Sequence, residues 1–181
     1  CGVSENKTPL MSFKNAYASD PVSAFGGVIA CNYKINKKIA TEINKNFLEV
    51  ILAKGFDRES LKILKNKKNL RVIDISNFKL KSLTSTKSFD GSFLIQSKNN
   101  VVIDKKKLKC VTKLKPNKKE LAEIQFAFNV CKNVKSNAIV LCNSYATIGI
   151  GAGQPSRLDS CKIAVQKAKQ FQSSKIKNSI A

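Results

Sequence analysis

The stretch that decides the fold is residues 138–157, Ala-Ile-Val-Leu-Cys-Asn-Ser-Tyr-Ala-Thr-Ile-Gly-Ile-Gly-Ala-Gly-Gln-Pro-Ser-Arg. It begins with an apolar, strand-forming run, turns at Asn143-Ser144, and continues into a second strand over residues 147–151. Ser156 then has the residue type and position of a helix N-cap. Two strands followed directly by a helix predict a hairpin-like return covered by that helix.

Three glycines at alternating positions lie at the end of this stretch, and Arg157 follows them. The glycines predict backbone clearance, because without a Cβ another segment can approach closely. A dinucleotide-binding fingerprint is excluded because it needs glycine where the chain has Gln154. An arginine in the first turn of a helix instead predicts a seat for an anionic ligand.

Apolar residues at helical and strand spacings alternate along the rest of the chain. They predict helices over residues 10–18, 36–45, 57–65, 117–134 and 156–169, and strands over residues 25–31, 47–53, 70–75, 92–97, 108–113, 138–142 and 147–151. Residues 76–91, which are rich in Ser, Thr and Lys, are predicted as a loop. The first strand, over residues 25–31, is predicted to be buried.

Helix-start signals sharpen two of these predictions. Asn117 with Glu120, and Ser156 with Asp159, have capping-box spacing. Leu121, Ile124, Phe128 and Cys131 are the apolar stripe predicted to face the core. The order of elements predicts an α/β fold, a layered α/β/α arrangement with a mixed sheet. A boundary near Pro116 would divide the chain into residues 1–115 and 116–181.

Composition bounds the function. The chain has 181 residues, of which 43% are hydrophobic, enough for the core of one or two small domains. No apolar run approaches the roughly 20 residues of a membrane span. The net charge is +21, but only three of the 33 basic residues are arginine, and the lysine runs at 65–68 and 105–109 contain no aromatic residues. This pattern favours a solvated surface. A lysine-rich module that binds nucleic acid or another polyanion remains the alternative.

The six cysteines argue against a metal site. They form no C-x-x-C pair, and the chain has no histidine, whereas thiolate zinc sites use closely paired cysteines. Cys131, Cys142 and Cys161 lie in apolar patterns and are predicted as small core residues. A reduced, cytoplasmic compartment is the simplest context.

Four segments together resemble a known family. They are Ser-Asp-Pro-Val-Ser-Ala-Phe-Gly-Gly-Val-Ile-Ala at 19–30, Phe-Leu-Glu-Val-Ile-Leu-Ala at 47–53, Val-Lys-Ser-Asn-Ala-Ile-Val at 134–140 and Ile-Gly-Ile-Gly-Ala-Gly-Gln-Pro-Ser-Arg at 148–157. In this order they resemble the transformylase domain of the AICAR formyltransferase/IMP cyclohydrolase family. The resemblance runs from Cys1 to about Lys169.

The resemblance implies a metal-free formyl transfer in purine biosynthesis. The formyl donor would be the co-substrate 10-formyltetrahydrofolate, and the acceptor the amine of aminoimidazole carboxamide ribonucleotide (AICAR). A separate amino-terminal domain would then close the ring to IMP. It also implies two cytidine-deaminase-like α/β/α subdomains and a homodimer. A nucleoside deaminase itself is disfavoured by the absence of histidine and of paired cysteines.

The family's Lys-His pair lies just before the Cys-Gly-Val that opens this chain. A Ser-Asp-Ala-Phe-Phe-Pro-Phe segment of the family would follow Ala181. By this resemblance the chain corresponds to the middle of the enzyme, and we expect it to show no formyl transfer by itself.

Residue by residue, the resemblance implies one catalytic position. Asn137 matches an asparagine of the family's catalytic centre and the family's substrate-binding set; its amide would orient the histidine or hold the formyl oxygen. Arg157 matches a nucleotide contact, and Leu158 falls where the folate is approached. The alternatives are that Asn137 only ends a turn and that Arg157 is a surface ion-pair partner.

Three further positions match nucleotide contacts. The ring of Phe25 would pack on the base, while the N–H of Gly26 stays accessible. Glu49 matches an acidic contact. For Phe25 the alternative is plain core filling. For Glu49, a carboxylate within a strand pattern, the alternative is a position on a solvated face of the strand.

Overall fold

The computed structural model describes residues 1–79, 84–104 and 107–181. Residues 80–83 of the predicted loop and residues 105–106 of the second lysine run lie outside this described part. The helices are α1 (Pro9–Ala18), α2 (Lys37–Asn44), α3 (Arg58–Leu64), α4 (Lys118–Cys131) and α5 (Arg157–Gln172). The strands are β1 (Gly27–Cys31), β2 (Leu48–Ala53), β3 (Arg71–Asp74), β4 (Thr84–Phe89), β5 (Ser92–Ser97), β6 (Ile139–Asn143) and β7 (Ala146–Gly151).

The first sheet is parallel, in the order β1-β2-β3, with α2 and α3 as its crossovers. One face carries the core, where Ile39 and Ile43 of α2 and Leu64 of α3 pack against Ile51. On the opposite face Val28 is 65% exposed, because no helix of the described residues covers it. Ala30 is exposed as well and Cys31 is the one buried residue of residues 25–31, so the prediction of a buried strand there is wrong for most of its length.

The second sheet is the antiparallel β6–β7 hairpin, which lies between two helices. Val140 and Cys142 pack with α4, and Leu141 and Ile148 pack with α5. This division follows from the alternation of side chains along a strand. The result is an α/β/α sandwich beside a parallel sheet, which confirms the predicted α/β class with mixed sheets. No helix in the described ranges is both long and apolar enough to cross a membrane.

Short segments distant in sequence extend both edges of β6–β7. Ser4 pairs antiparallel with Ala146 of β7, and Ile180 pairs antiparallel with Cys142 of β6. The amino-terminal segment is held further by the Val3 N–H, which donates to Thr147 Oγ1 at 2.9 Å. The division into residues 1–115 and 116–181 stays a prediction.

Helix starts agree with the cap signals. Asn36, Asp57, Asn117 and Ser156 each accept a backbone N–H in the first turn of the following helix. The predicted box at Asn117 forms in full, since the Asn117 N–H donates to Glu120 Oε2 at 2.8 Å. At α5 the cap forms but the predicted box does not, because Ser156 accepts the Leu158 N–H at 3.1 Å while Asp159 pairs with Lys162 at 3.6 Å.

Four further predictions are wrong. Part of the loop predicted over 76–91 is β4, a polar strand whose pairing with β5 supplies the order that its own sequence does not signal. Residues 108–113 form no strand, because no neighbouring strand pairs with them in the described part. On α4 the buried residues are Glu123, Ala127 and Val130, so the buried face is rotated from the predicted apolar stripe. Cys161 is exposed on α5.

Candidate functional site

Asn137 lies at the corner where the chain enters β6, beside the loop that leads into α5. Its Nδ2 donates to the carbonyl oxygens of Gln154 at 3.0 Å and Pro155 at 2.9 Å. Ser160 of α5 donates its hydroxyl to the Asn137 carbonyl at 2.7 Å. Both amide hydrogens of Asn137 are therefore engaged, and its Oδ1 accepts no hydrogen bond from the described residues.

Lys135 also reaches this corner, although it was not among the predicted site residues. Its carbonyl accepts the Gly153 N–H at 2.7 Å. A Cβ on Gly153 would lie 3.8 Å from Lys135 Cδ, so the lysine stem passes alongside the glycine loop. The only sequence signal was its position two residues before Asn137.

Arg157 is the first residue of α5, and its side chain is exposed. No carboxylate in the described ranges forms an ion pair with it. The alternative, that Arg157 is a surface ion-pair partner, therefore has no support in those ranges. Leu158, the next residue, is 63% exposed. A helix N-terminus carries partial positive charge, and the free guanidinium adds a full one. This end of α5 is electrostatically suited to an anion.

Phe25 lies in the turn between α1 and β1 and is 76% exposed, which excludes core filling. Its ring packs on Phe47, with ring centroids 4.9 Å apart and planes at 38°. Phe47 was missed as a partner, although it stands two residues before Glu49. The exposed aromatic pair offers a surface on which a planar ligand can stack.

Gly26 and Glu49 adjoin this aromatic pair. The Gly26 N–H donates to the Phe47 carbonyl at 3.0 Å, so the expectation that it stays accessible is wrong. Gly26 has a φ of +66°, and a Cβ there would lie 3.7 Å from Glu49 Oε1. Glu49 is exposed, on the solvated strand face that was its alternative reading.

The predicted residues thus form two groups: Phe25, Gly26 and Glu49 with Phe47, and Asn137, Arg157 and Leu158. Within the described residues no hydrogen bond, ion pair or ring contact joins the groups directly. The loop of the first group is tied to α5 through Lys167, ten residues after Arg157. That separation is about 15 Å along the helix. A single shared site stays a prediction.

A cavity of about 560 Å³ lies between the amino-terminal segment, α4 and β7. Its lining includes Glu5, Phe126, Asn129 and Tyr145, and none of the predicted site residues. Phe126 and Tyr145 meet edge to face there, with ring centroids 6.2 Å apart. The cavity therefore does not coincide with the predicted site residues. The exposed N-terminal end of α5, which attracts anions, fits the predicted binding of an anionic ligand better.

The cysteines are free thiols. Burial raises the pKa of the Cys142 thiol to about 12, and the nearby Glu123 and Cys131 add to the shift, so Cys142 is an unreactive core residue as predicted. Among the described residues, no group of three or more His, Cys, Asp or Glu side chains is arranged to hold a metal ion.

Comparison with known proteins gives a consistent result. A family model described as AICARFT/IMPCHase bienzyme matches residues 1–167. The bifunctional purine biosynthesis protein PurH of Chelativorans sp. (strain BNC1) is 45% identical over 171 residues, which are 93% of this chain and 32% of that protein. The proteins of the same name from Bartonella henselae and Prochlorococcus marinus (strain MIT 9515) are 44% and 42% identical, and the matches cover 94% and 96% of this chain and 32% and 34% of theirs.

The chain spans about a third of the length of the curated relatives it matches. The family match itself covers nearly the whole chain, including both groups of site residues. The chain belongs to the AICARFT/IMPCHase bienzyme family.

Proposed function

We propose that the natural-length polypeptide carrying this sequence transfers a formyl group from 10-formyltetrahydrofolate to the amine of AICAR in purine biosynthesis. An IMP cyclohydrolase activity would belong to another part of that polypeptide. The observation that carries the proposal is the corner where Asn137 is anchored beside the N-terminus of α5, with Arg157 exposed and unpaired among the described residues. Family membership supports it.

The reaction sets clear chemical demands. The AICAR amine is a poor nucleophile, because its lone pair is delocalised towards the carboxamide. Attack on the formyl carbon forms a C–N bond, places negative charge on the formyl oxygen and leaves a proton on nitrogen to be removed. Collapse of this intermediate then breaks the bond to the folate nitrogen, which takes up a proton and leaves as tetrahydrofolate. The protein must therefore accept a proton, stabilise the oxyanion and hold two reactants together.

Asn137 is proposed as the catalytic residue of this chain. Its amide nitrogen faces two carbonyl oxygens, so the free atom is the acceptor Oδ1. An acceptor at this point can hold the N–H of the attacking amine or of a histidine. Donation to the formyl oxygen would require breaking one of the two anchoring bonds. Of the two roles implied by the resemblance, orientation thus fits better.

The remaining residues are proposed to bind the two substrates. Arg157 would contact the anionic nucleotide at the positive end of α5, and Leu158 would contact the folate. The exposed ring of Phe25 would stack on the nucleotide base, beside Gly26 and Glu49. In a homodimer of the natural-length protein, the two groups could also meet across the subunit interface.

Substitution of Arg157 tests the proposal. Arg157→Ala removes the unpaired cation, and a hydrogen bond to a charged group contributes about 1.5–3 kcal/mol. We expect AICAR affinity of the natural-length protein, measured by calorimetric titration, to fall about tenfold to a hundredfold. The matched control is Lys162→Ala, which removes another cation from α5 that already pairs with Asp159.

Equal weakening by both substitutions would contradict a specific role for Arg157. If the wild-type protein shows neither AICAR binding nor formyl transfer, the proposed function fails. Binding to RNA with an affinity that falls steeply with salt would then favour the polyanion-binding alternative.

A further inference from the structure

Asp20 is a buried carboxylate in the loop between α1 and β1, 4% exposed. Its Oδ1 accepts the Ser23 N–H at 3.0 Å, and its Oδ2 accepts a hydrogen bond from Lys167 of α5. A carboxylate so enclosed is stable only with such partners, because an unpaired buried charge is costly.

Lys167 joins the same loop twice. Besides the Asp20 carboxylate, its Nζ lies 3.3 Å from Ser23 Oγ, and its side chain is only 31% exposed. Nearby, Gln172 of α5 donates to the Ala18 carbonyl at 2.8 Å, and Ser19 Oγ lies 3.1 Å from Thr147 Oγ1 in a buried contact. The end of α1 and the loop after it are thus docked on α5 and β7.

A short series of hydrogen bonds leads from Asp20 to the candidate site. The Asp20 carbonyl accepts the Ala24 N–H at 3.2 Å, and the Ala24 carbonyl accepts the Gly27 N–H at 3.0 Å. Phe25 and Gly26 lie between these anchored residues. The position of Asp20 against α5 therefore determines the position of the loop, and with it the position of the Phe25 ring.

We propose that Asp20 and Lys167 are positioning residues, which fix the Phe25–Gly26 loop relative to the helix that begins with Arg157. The pair is a direct polar link between the loop and α5, next to the contact of Lys167 with Ser23, and so connects the two groups of site residues. Neither residue touches the reacting atoms in this arrangement. The proposal rests on the proposed function, because it assigns both groups to one nucleotide.

Asp20→Asn in the natural-length protein tests it. This variant keeps an oxygen for the Ser23 N–H but loses the charge that holds Lys167. We expect the KM for AICAR to rise at least tenfold, while the KM for 10-formyltetrahydrofolate changes less than twofold. Amide hydrogen exchange of residues 22–27 should become faster. A purely structural role would not separate the two substrates in this way.

Glu123→Gln is the matched control. Glu123 is also a buried carboxylate, paired with a lysine (Lys119, 3.8 Å) and accepting a backbone N–H (Ser144, 3.2 Å), but it lies on α4. It should lower stability without changing the KM for AICAR or the exchange of residues 22–27. If Asp20→Asn does not fold, Lys167→Gln provides the same comparison, and Lys167→Arg should restore the wild-type KM for AICAR.

An unchanged KM for AICAR in Asp20→Asn, or in Lys167→Gln if Asp20→Asn does not fold, overturns the proposal, as does an equal rise for both substrates. An equal effect of Glu123→Gln also overturns it. Failure of the proposed function would be seen separately, as wild-type protein without formyl transfer. In that event the exchange of residues 22–27 alone decides whether the pair positions the loop.

Discussion

At the scale of single residues, the orientation of one amide group decides what Asn137 can do. Carbonyl oxygens only accept hydrogen bonds, so Gln154 and Pro155 require the nitrogen of the side chain to face them. The same two bonds tie the entry of β6 to the loop before α5. The two bonds therefore fix the position of Asn137 Oδ1 and at the same time hold the corner between β6 and α5 together.

Asn137→Ala should reduce turnover of the natural-length protein about a hundredfold, in the range typical of groups that assist proton transfer. Affinity for AICAR should change only about twofold, because the proposed contact matters most in the transition state. Stopped-assay rates and nucleotide titration measure the two effects. The control is Asn133→Ala, an exposed asparagine that donates to the Asn129 carbonyl at 2.8 Å. Wild-type turnover in Asn137→Ala would remove the residue from the mechanism.

Residue roles could be predicted only in part from the sequence. The resemblance singled out Phe25 but not Phe47, because the pairing of their rings depends on how β1 aligns with β2. It also proposed a free N–H on Gly26, which the Phe47 carbonyl occupies. Contacts between neighbouring strands follow from sheet register, and register is set by packing that single residues do not report.

At the scale of elements, two glycines of β7 determine how closely α5 lies on the sheet. A Cβ on Gly149 would be 2.1 Å from the Ala164 carbonyl oxygen, and one on Gly151 would be 1.9 Å from that of Ser160. Backbone atoms cannot yield as a flexible side chain does. The alternating glycines are therefore a packing surface for the helix, which confirms the predicted backbone clearance.

Gly151→Ala should separate α5 from β7 and lower the free energy of unfolding by about 3 kcal/mol, as overpacked sites commonly do. Urea unfolding monitored by circular dichroism measures the change. Gly91→Ala is the control: a Cβ there meets nothing within 4 Å, so only the strain of its φ of +78° remains, about 1–2 kcal/mol. Equal losses in the two variants would show that helix contact is not the cause.

Helix starts were predictable because a cap is a local signal, formed by a side chain and the amides just after it. Asn117 and Asp57 illustrate this. The buried face of α4 was not predictable in the same way. Glu123 is buried because Lys119 and the Ser144 N–H partner it, and that turn lies 21 residues away in sequence. Burial of a polar residue depends on such partners rather than on periodicity.

At the scale of the whole molecule, the chain carries a net charge of +21, with 33 basic and 12 acidic residues. Loss of any one carboxylate charge adds to this excess of positive charge. Asp20 is the carboxylate that links the parallel sheet's loop to α5. Burial by itself would raise the pKa of Asp20, but the hydrogen bonds from Lys167 and the Ser23 N–H outweigh it and lower that pKa to about 2.

This shift predicts acid sensitivity. Because the folded pKa lies below the ordinary value of 3.8, Asp20 stabilises the fold above about pH 4, and this contribution is lost as the pH falls towards 2. Between pH 5 and pH 2 wild type should lose about 2 kcal/mol more unfolding free energy than Asp20→Asn. Urea titrations at both pH values test this. Parallel losses in the two proteins would show that other groups govern acid unfolding.

The edges of β6–β7 give the molecule a particular order of assembly. The hairpin itself is local and can form in microseconds, but Val3 must find Thr147 across 144 residues of chain. Such long-range closure carries an entropic cost and slows folding. During synthesis at about 5–20 residues per second, the partner strand is made roughly seven to thirty seconds after the amino-terminal segment. The rate of translation, more than the stability of any element, therefore sets when the sandwich can be completed.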